Sequence, residues 1–168
     1  MIEGSPDVIR VIHVDDEPNF AEMAAEFICR QDKRFEVETA TSASEALEWL
    51  RENTVHCIVS DFDMPGQNGI EFLESVRTEN PDLPFILYTG KGSEEVASEA
   101  ISAGVTDYLQ KETGSSQYAV LANRIKNAVS QFRTKRELER SQDLLQQTMV
   151  SGLMVEEVSL EALARAIE

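Results

Sequence analysis

The stretch His56–Gly69, HCIVSDFDMPGQNG, decides the fold. Cys57–Val59 is a short apolar run, long enough for one buried strand and too short for a helix. Asp61 stands just past its end, and Pro65 and Gly66 follow as turn residues. A carboxylate at the mouth of a buried strand is poorly placed for packing, because burying a charge is costly. It is well placed for chemistry, so the reading turns on what other groups the chain brings to it.

Upstream, Val8–Val14 (VIRVIHV) is a β-branched run and reads as a first strand. Asp15, Asp16 and Glu17 follow it at once. From Phe20 the apolar positions Phe20, Met23, Ala24, Phe27 and Ile28 form one helical face. Phe35–Thr39 alternates as a second strand. Ser42 with Glu45 three residues on reads as a capping box, opening a helix whose face is Ala43, Ala46, Leu47 and Leu50. Downstream of the opening stretch, Ile70, Leu73 and Val76 make the next helical stripe, closed by Asn80-Pro81. Phe85–Tyr88 is a fourth strand ending at Thr89-Gly90. Ser93 caps a helix carrying Val96, Ala97, Ala100 and Ile101, stopped by Gly104. Asp107–Leu109 is a short fifth strand with Lys111 just past it. A long helix begins near Ser116 with the stripe Tyr118, Leu121, Ile125, Ala128 and Phe132.

Five strands alternating with five helices predict an α/β fold, a doubly wound parallel sheet with helices on both faces and an extended C-terminal helix. All strand carboxyl ends then share one edge, where such sheets bind ligands. The residues just beyond the strands are Asp15 and Asp16, Asp61, Thr89 and Lys111, while the second strand delivers only Ala40 and Thr41, which suits an outer position. Three carboxylates close together repel: at an effective dielectric near 20, a pair about 4 Å apart costs roughly 4 kcal/mol. A hard divalent cation relieves that repulsion, and magnesium accepts such oxygen ligands while keeping several waters. A metal-bound edge with a carboxylate, a lysine and a hydroxyl suits phosphoryl transfer, in which carboxylates act as covalent acceptors.

Composition narrows the class. The 168 residues carry 31 acidic and 15 basic side chains, a net charge of −16. That argues against a nucleic-acid surface, which needs a basic patch, and against anionic membranes. Only five of the basic residues are lysines; low lysine with excess acid fits either a halophile's protein, where salt screens self-repulsion, or simply an acidic mesophilic one. No apolar stretch approaches a membrane span and no signal peptide heads the chain, so a cytoplasmic protein is expected. Cys29 and Cys57 lie in apolar patterns without a CxxC pair, and buried free thiols are expected. His13 and His56 each adjoin a strand and are expected to be structural.

With Asp15-Asp16 after the first strand, Asp61 and Met64-Pro65-Gly66 after the third, Thr89-Gly90 after the fourth and Asp107-Tyr108-Leu109 before Lys111, the chain resembles the receiver domain of two-component response regulators over about residues 8–131. The resemblance implies the flavodoxin-like strand order 2-1-3-4-5. It implies that Asp61 takes a phosphoryl group from a phosphohistidine on a sensor histidine kinase or phosphotransfer protein. It implies that the Asp16 and Asp61 side chains and the Asp63 carbonyl ligate Mg2+, with Asp15 acting mainly through water. Thr89 would bind the phosphoryl group, Lys111 would pair with it, and Tyr108 would rotate from exposed to buried as Thr89 turns inward. Such a protein is a signalling domain and not an enzyme in the ordinary sense. Two departures stand out: Glu112 follows Lys111 where many receivers have proline, and the variable positions two beyond Asp61 and Thr89 are Asp63 and Lys91.

A rival class is the haloacid-dehalogenase-type phosphatase, whose paired acids Asp61-Phe62-Asp63 resembles. That family places its metal-binding acids downstream of the nucleophile, whereas Asp15 and Asp16 lie upstream. A purely structural module that binds no magnesium is a third class. Residues 1–7 read as a tail and residues 132–168 as a helical extension or linker, polar from Arg133 to Gln147, broken at Ser151-Gly152 and ending in a short amphipathic helix over Ser159–Glu168. These residues are too few and too acidic for a DNA-binding output domain. The expected output is therefore a protein target reached through the receiver itself, with a possible homodimer through the C-terminal helix, or else the chain is a fragment of a larger hybrid kinase or regulator.

Overall fold

A computed structural model describes the backbone of residues 7–90 and 92–167 and the side chains through Ser151. Its elements alternate strictly: β1 (Ile9–Val14), α1 (Pro18–Gln31), β2 (Phe35–Ala40), α2 (Ala43–Glu52), β3 (Cys57–Ser60), α3 (Gly69–Glu79), β4 (Phe85–Thr89), α4 (Glu94–Ser102), β5 (Asp107–Gln110) and α5 (Ser116–Ile167). The five strands form one parallel sheet in the order β2-β1-β3-β4-β5. This is the doubly wound sheet and the strand order expected above, with its long C-terminal helix. The chain divides into two compact units, Met1–Phe132 and Arg133–Glu168.

Both sheet faces are covered, which is why β3 and β4 are apolar without alternation. One face of β1 turns Ile12 and Val14 into a cluster with Ala43 and Ala46 of α2, Phe72, Leu73 and Val76 of α3, and Ala100 of α4. Phe72 and Phe85 meet there edge to face, 5.4 Å between centroids, a favoured aromatic geometry. The other face sets Ile9 and Val11 against Ile28 of α1 and Leu121, Ala122, Ile125 and Val129 of α5. The stripe from Tyr118 onward therefore packs on the sheet, with Tyr118, Leu121, Ile125 and Ala128 all buried.

Local signals explain the helix starts. Asn68 caps α3 through bonds from Ile70 N and Glu71 N, and Glu71 returns a bond to the Asn68 N–H. That is a complete capping box. Ser42 accepts from Glu45 N, while the Glu45 carboxylate reaches Thr41 N instead of Ser42 N. Ser93 caps α4 through Val96 N.

Several expectations are corrected. Ile101 is 71% exposed, because short α4 presents only Ala100 fully to the core. On α1 Met23 is exposed and Ala21 takes its place inside. Cys29 is an exposed free thiol and only Cys57 is buried. The backbone remains helical from Ser116 to Ile167, so Ser151-Gly152 does not break it; a glycine costs a helix only about 1 kcal/mol. The apolar side chains expected over Ser159–Glu168 lie outside the described residues, as do residues 1–6 of the N-terminal tail.

Candidate functional site

The strand order reverses direction between β1 and β3, and the crevice at their carboxyl ends is where such sheets bind ligands. Asp15 and Asp61 stand on either side of it. Register alone places them: Asp61 N donates to Val14 O at 2.9 Å, and Asp15 N donates to Ala40 O at 3.0 Å. Asp15 is fully buried and Asp61 is 7% exposed, while Asp16 is half-buried. One carboxylate oxygen from each of Asp15, Asp16 and Asp61 lies within 4.8 Å of the others.

Among the described residues, one ammonium enters this cluster, from just beyond β5. Lys111 Nζ lies 2.7 Å from Asp15 Oδ2 and 3.4 Å from Asp61 Oδ2, and sits 4.3 Å from the centroid of the Phe20 ring. Its backbone is anchored by Lys111 N donating to Thr89 O at 2.8 Å. The other oxygen of Asp15 accepts the Glu17 N–H at 2.9 Å, so both oxygens of this acid are engaged. Asp61 Oδ1 accepts the Phe62 N–H at 2.8 Å, and Thr89, buried at the end of β4, lies beside the same carboxyl group. Burial pushes the Asp61 carboxyl above the usual carboxylate range, opposed by Lys111 and reinforced by the negative charge of Asp15. Among the described residues, three acids face one ammonium, an excess of negative charge among hard oxygens that is the donor chemistry a magnesium ion takes.

The candidate residues converge unequally. Asp15, Asp16, Asp61, Thr89 and Lys111 meet in one pocket. Asp63 stands on the loop two residues beyond Asp61 with its side chain exposed. Tyr108 lies on β5, half-buried and packed against the core cluster that includes Leu87. Thr89 is buried at the end of β4. Lys91 lies outside the described residues. The two histidines are structural as expected: His56 Nδ1 accepts from Arg10 N at 2.9 Å. Fully buried His13 is lowered to about 4 by burial and stays neutral.

Three contributors escape a motif search. Gly69 opens α3 directly under the acid, where a Cβ would come within 2.3 Å of Asp61 O and 2.8 Å of Leu87 Cδ1. Phe20 supplies the ring beneath Lys111. Gln117, in the first turn of α5, bonds to the loop that follows Lys111. An asparagine before a glycine at a helix start is the one visible cue, for Gly69; the other two depend on contacts between distant residues.

A family model described as the response regulator receiver domain matches residues 11–123. The chain is 29% identical over 143 residues to the nitrogen assimilation regulatory protein NtrX of Azorhizobium caulinodans, a match that covers 83% of this chain and 30% of that protein. It thus spans less than half the length of the curated relatives it matches. Among solved structures it is similar to a response regulator receiver domain protein from Clostridium thermocellum, with TM-score 0.68 and 25% identity over 76% of this chain and 98% of that one. It is also similar to the beryllofluoride-activated NtrC4 receiver domain dimer, with TM-score 0.65 and 28% identity over 73% and 98% of the two chains.

Proposed function

The chain belongs to the response regulator receiver domain family, and on that premise we propose that it accepts a phosphoryl group on Asp61 and thereby switches a protein-interaction surface. The observation that carries the proposal is the pocket itself: three carboxylates within 4.8 Å of one another with one ammonium 2.7 and 3.4 Å from two of them. A carboxylate oxygen of Asp61 attacks the phosphorus of a phosphohistidine on a sensor histidine kinase or phosphotransfer protein. The P–O bond forms, the P–N bond breaks, and the imidazole leaves with its electron pair. Lys111 and the Thr89 hydroxyl then face the new phosphoryl oxygens as charge partner and hydrogen-bond donor.

The Asp16 and Asp61 side chains and the Asp63 carbonyl would hold Mg2+. Asp15, whose two oxygens already serve Lys111 and the Glu17 N–H, would act through water. When bound, the cation supplies positive charge against the transferred oxygens. Lys111, reaching Asp61 from β5, orients the acceptor oxygen, and Phe62 N–H fixes the other.

The receiver occupies residues 8–131, and residues 132–168 serve as a helical extension. Its protein target is reached through the α4, β5 and α5 surface that Tyr108 adjoins. The net charge of −16 makes direct nucleic-acid contact unfavourable, and among the described residues no helix is long and apolar enough to cross a membrane, in keeping with a cytoplasmic role. The NtrC4 receiver is described as a dimer in its activated form; a homodimer of this chain would use Leu138, Leu144 and Leu145, all exposed on the extension. Membership of the receiver family supports this reading over the rival phosphatase one. Turnover tests the choice: with magnesium and excess phosphoramidate, this chain should take up about one phosphoryl group per molecule. Sustained release of phosphate at many equivalents per minute would instead favour a phosphatase.

A further inference from the structure

Lys111 needs a fixed backbone if its ammonium is to meet a phosphoryl group on Asp61, yet the residue after it is Glu112. A proline there would restrict the backbone by its ring; glutamate does not. The loop is held by another device. Gln117 Oε1 accepts the Glu112 N–H at 3.1 Å, a donor that proline lacks. The same oxygen accepts the Tyr88 hydroxyl. Gln117 Nε2 donates to Glu112 O at 2.6 Å and to Gly114 O at 2.8 Å. Two acceptor sites and two donor hydrogens are thus used, which is the full capacity of a primary amide. Gly114 has φ +88°, the left-handed turn that lets its carbonyl face inward at a position glycine tolerates.

Tyr88 fastens this clamp to the core. It is 1% exposed on β4, one residue before Thr89. Burial raises its phenol far above the ordinary range, so the hydroxyl remains a donor. Its ring packs 6.3 Å from Phe20 and 6.4 Å from His13, centroid to centroid, and Phe20 is the ring beneath the Lys111 ammonium. Tyr88 therefore supports both ends of the lysine: the backbone through Gln117, the ammonium through Phe20. Gln117 has no bond to any of the three carboxylates.

We propose that Tyr88 and Gln117 are positioning residues for Lys111, a side-chain clamp that fixes the Lys111–Gly114 loop in place of a restricted peptide. The inference rests on the proposed role of Lys111 beside a phosphorylated Asp61. It also makes the first turn of α5 part of the machinery that aims that lysine.

The test is a set of labelling rates on the full chain, with phosphoramidate and saturating magnesium, read by intact mass. Gln117→Leu should slow labelling of Asp61 about tenfold, the scale of a modest misplacement of a reacting group. Tyr88→Phe should slow it in the same direction by less, and Gln117→Glu, which keeps both accepted bonds, should fall between wild type and Gln117→Leu. The magnesium midpoint should stay at its wild-type value. On a Lys111→Ala background, Gln117→Leu should cost nothing further, because residues acting through one another are non-additive. The inference is overturned if Gln117→Leu labels at the wild-type rate, or shows the same fold-loss with and without Lys111, as general loosening of the fold would produce. A wild type that takes no label on Asp61, or a Lys111→Ala variant labelled at the wild-type rate, would instead overturn the functional reading beneath it, and the inference with it.

Discussion

Replacing Asp61 by asparagine should stabilise the metal-free protein. In the pocket Asp61 faces two acids at up to 4.8 Å, each a repulsion of roughly 3.5 kcal/mol at an effective dielectric near 20. Against these stands one attraction, to Lys111 at 3.4 Å, of about 5 kcal/mol on the same scale. The balance is unfavourable by on the order of 2 kcal/mol, and loss of hydration at a 7% exposed site has the same sign. Asparagine keeps the acceptor for Phe62 N–H, and Lys111 keeps Asp15. The expected gain is about 1–2 kcal/mol, or a rise of roughly 3–6 °C in Tm for a chain of this size. Its pH dependence follows from the raised Asp61 carboxyl. Where both folded and unfolded chains are protonated, below about pH 3, the group costs nothing and the variant gains nothing. As pH rises from the ordinary carboxylate range through the raised folded value, the folded wild type holds its proton longer than the unfolded chain and loses stability relative to the variant. The full gain is present at neutral pH. Thermal unfolding of both proteins at pH 3 and pH 7, with chelator and then with magnesium, measures this; magnesium should shrink the difference. A variant less stable than wild type at pH 7 without metal would refute the reasoning, as would a gain that is the same at both pH values.

Asp16→Ala should abolish the magnesium response in a titration while leaving the fold intact; an unchanged midpoint would remove Asp16 from the ligand set. Gly69→Ala should destabilise by about 2–3 kcal/mol, since overpacking at this scale is costly and the new Cβ meets Asp61 O at 2.3 Å. It should also slow phosphorylation, and denaturant melts beside labelling rates would show both effects. Thr89→Ala should still accept the phosphoryl group on Asp61 but fail to shift Tyr108 on adding beryllofluoride, read by tyrosine-selective NMR; a full response in that variant would route the signal elsewhere.

How far the sequence could be read depends on which physics is local. β3 and β4 carry apolar runs that end abruptly in Asp61 and Thr89, so both the strands and the edge they point to were visible without coordinates. The convergence of Asp15, Asp16 and Lys111 followed from topology alone, since parallel strands send every carboxyl end to one side. Helix faces were less legible. Ile101 fits the period of α4 yet lies in solvent, because periodicity gives a face without saying how much of it the sheet has room to cover. Ser151-Gly152 looked like a stop, but propensity is a weak signal that its context overrides. The Tyr88–Gln117 clamp was invisible: it joins residues 29 apart, and no spacing rule marks it.

The central claim is that Asp61 is the phosphoryl acceptor. Intact-mass spectrometry of the full chain after incubation with magnesium and a small phosphodonor tests it most directly, with the adduct mapped by peptide fragmentation. The expected result is a single acid-labile phosphoryl group on Asp61, absent without magnesium and absent from Asp61→Asn. Labelling that persists in Asp61→Asn, or maps to another residue in the wild type, would contradict it.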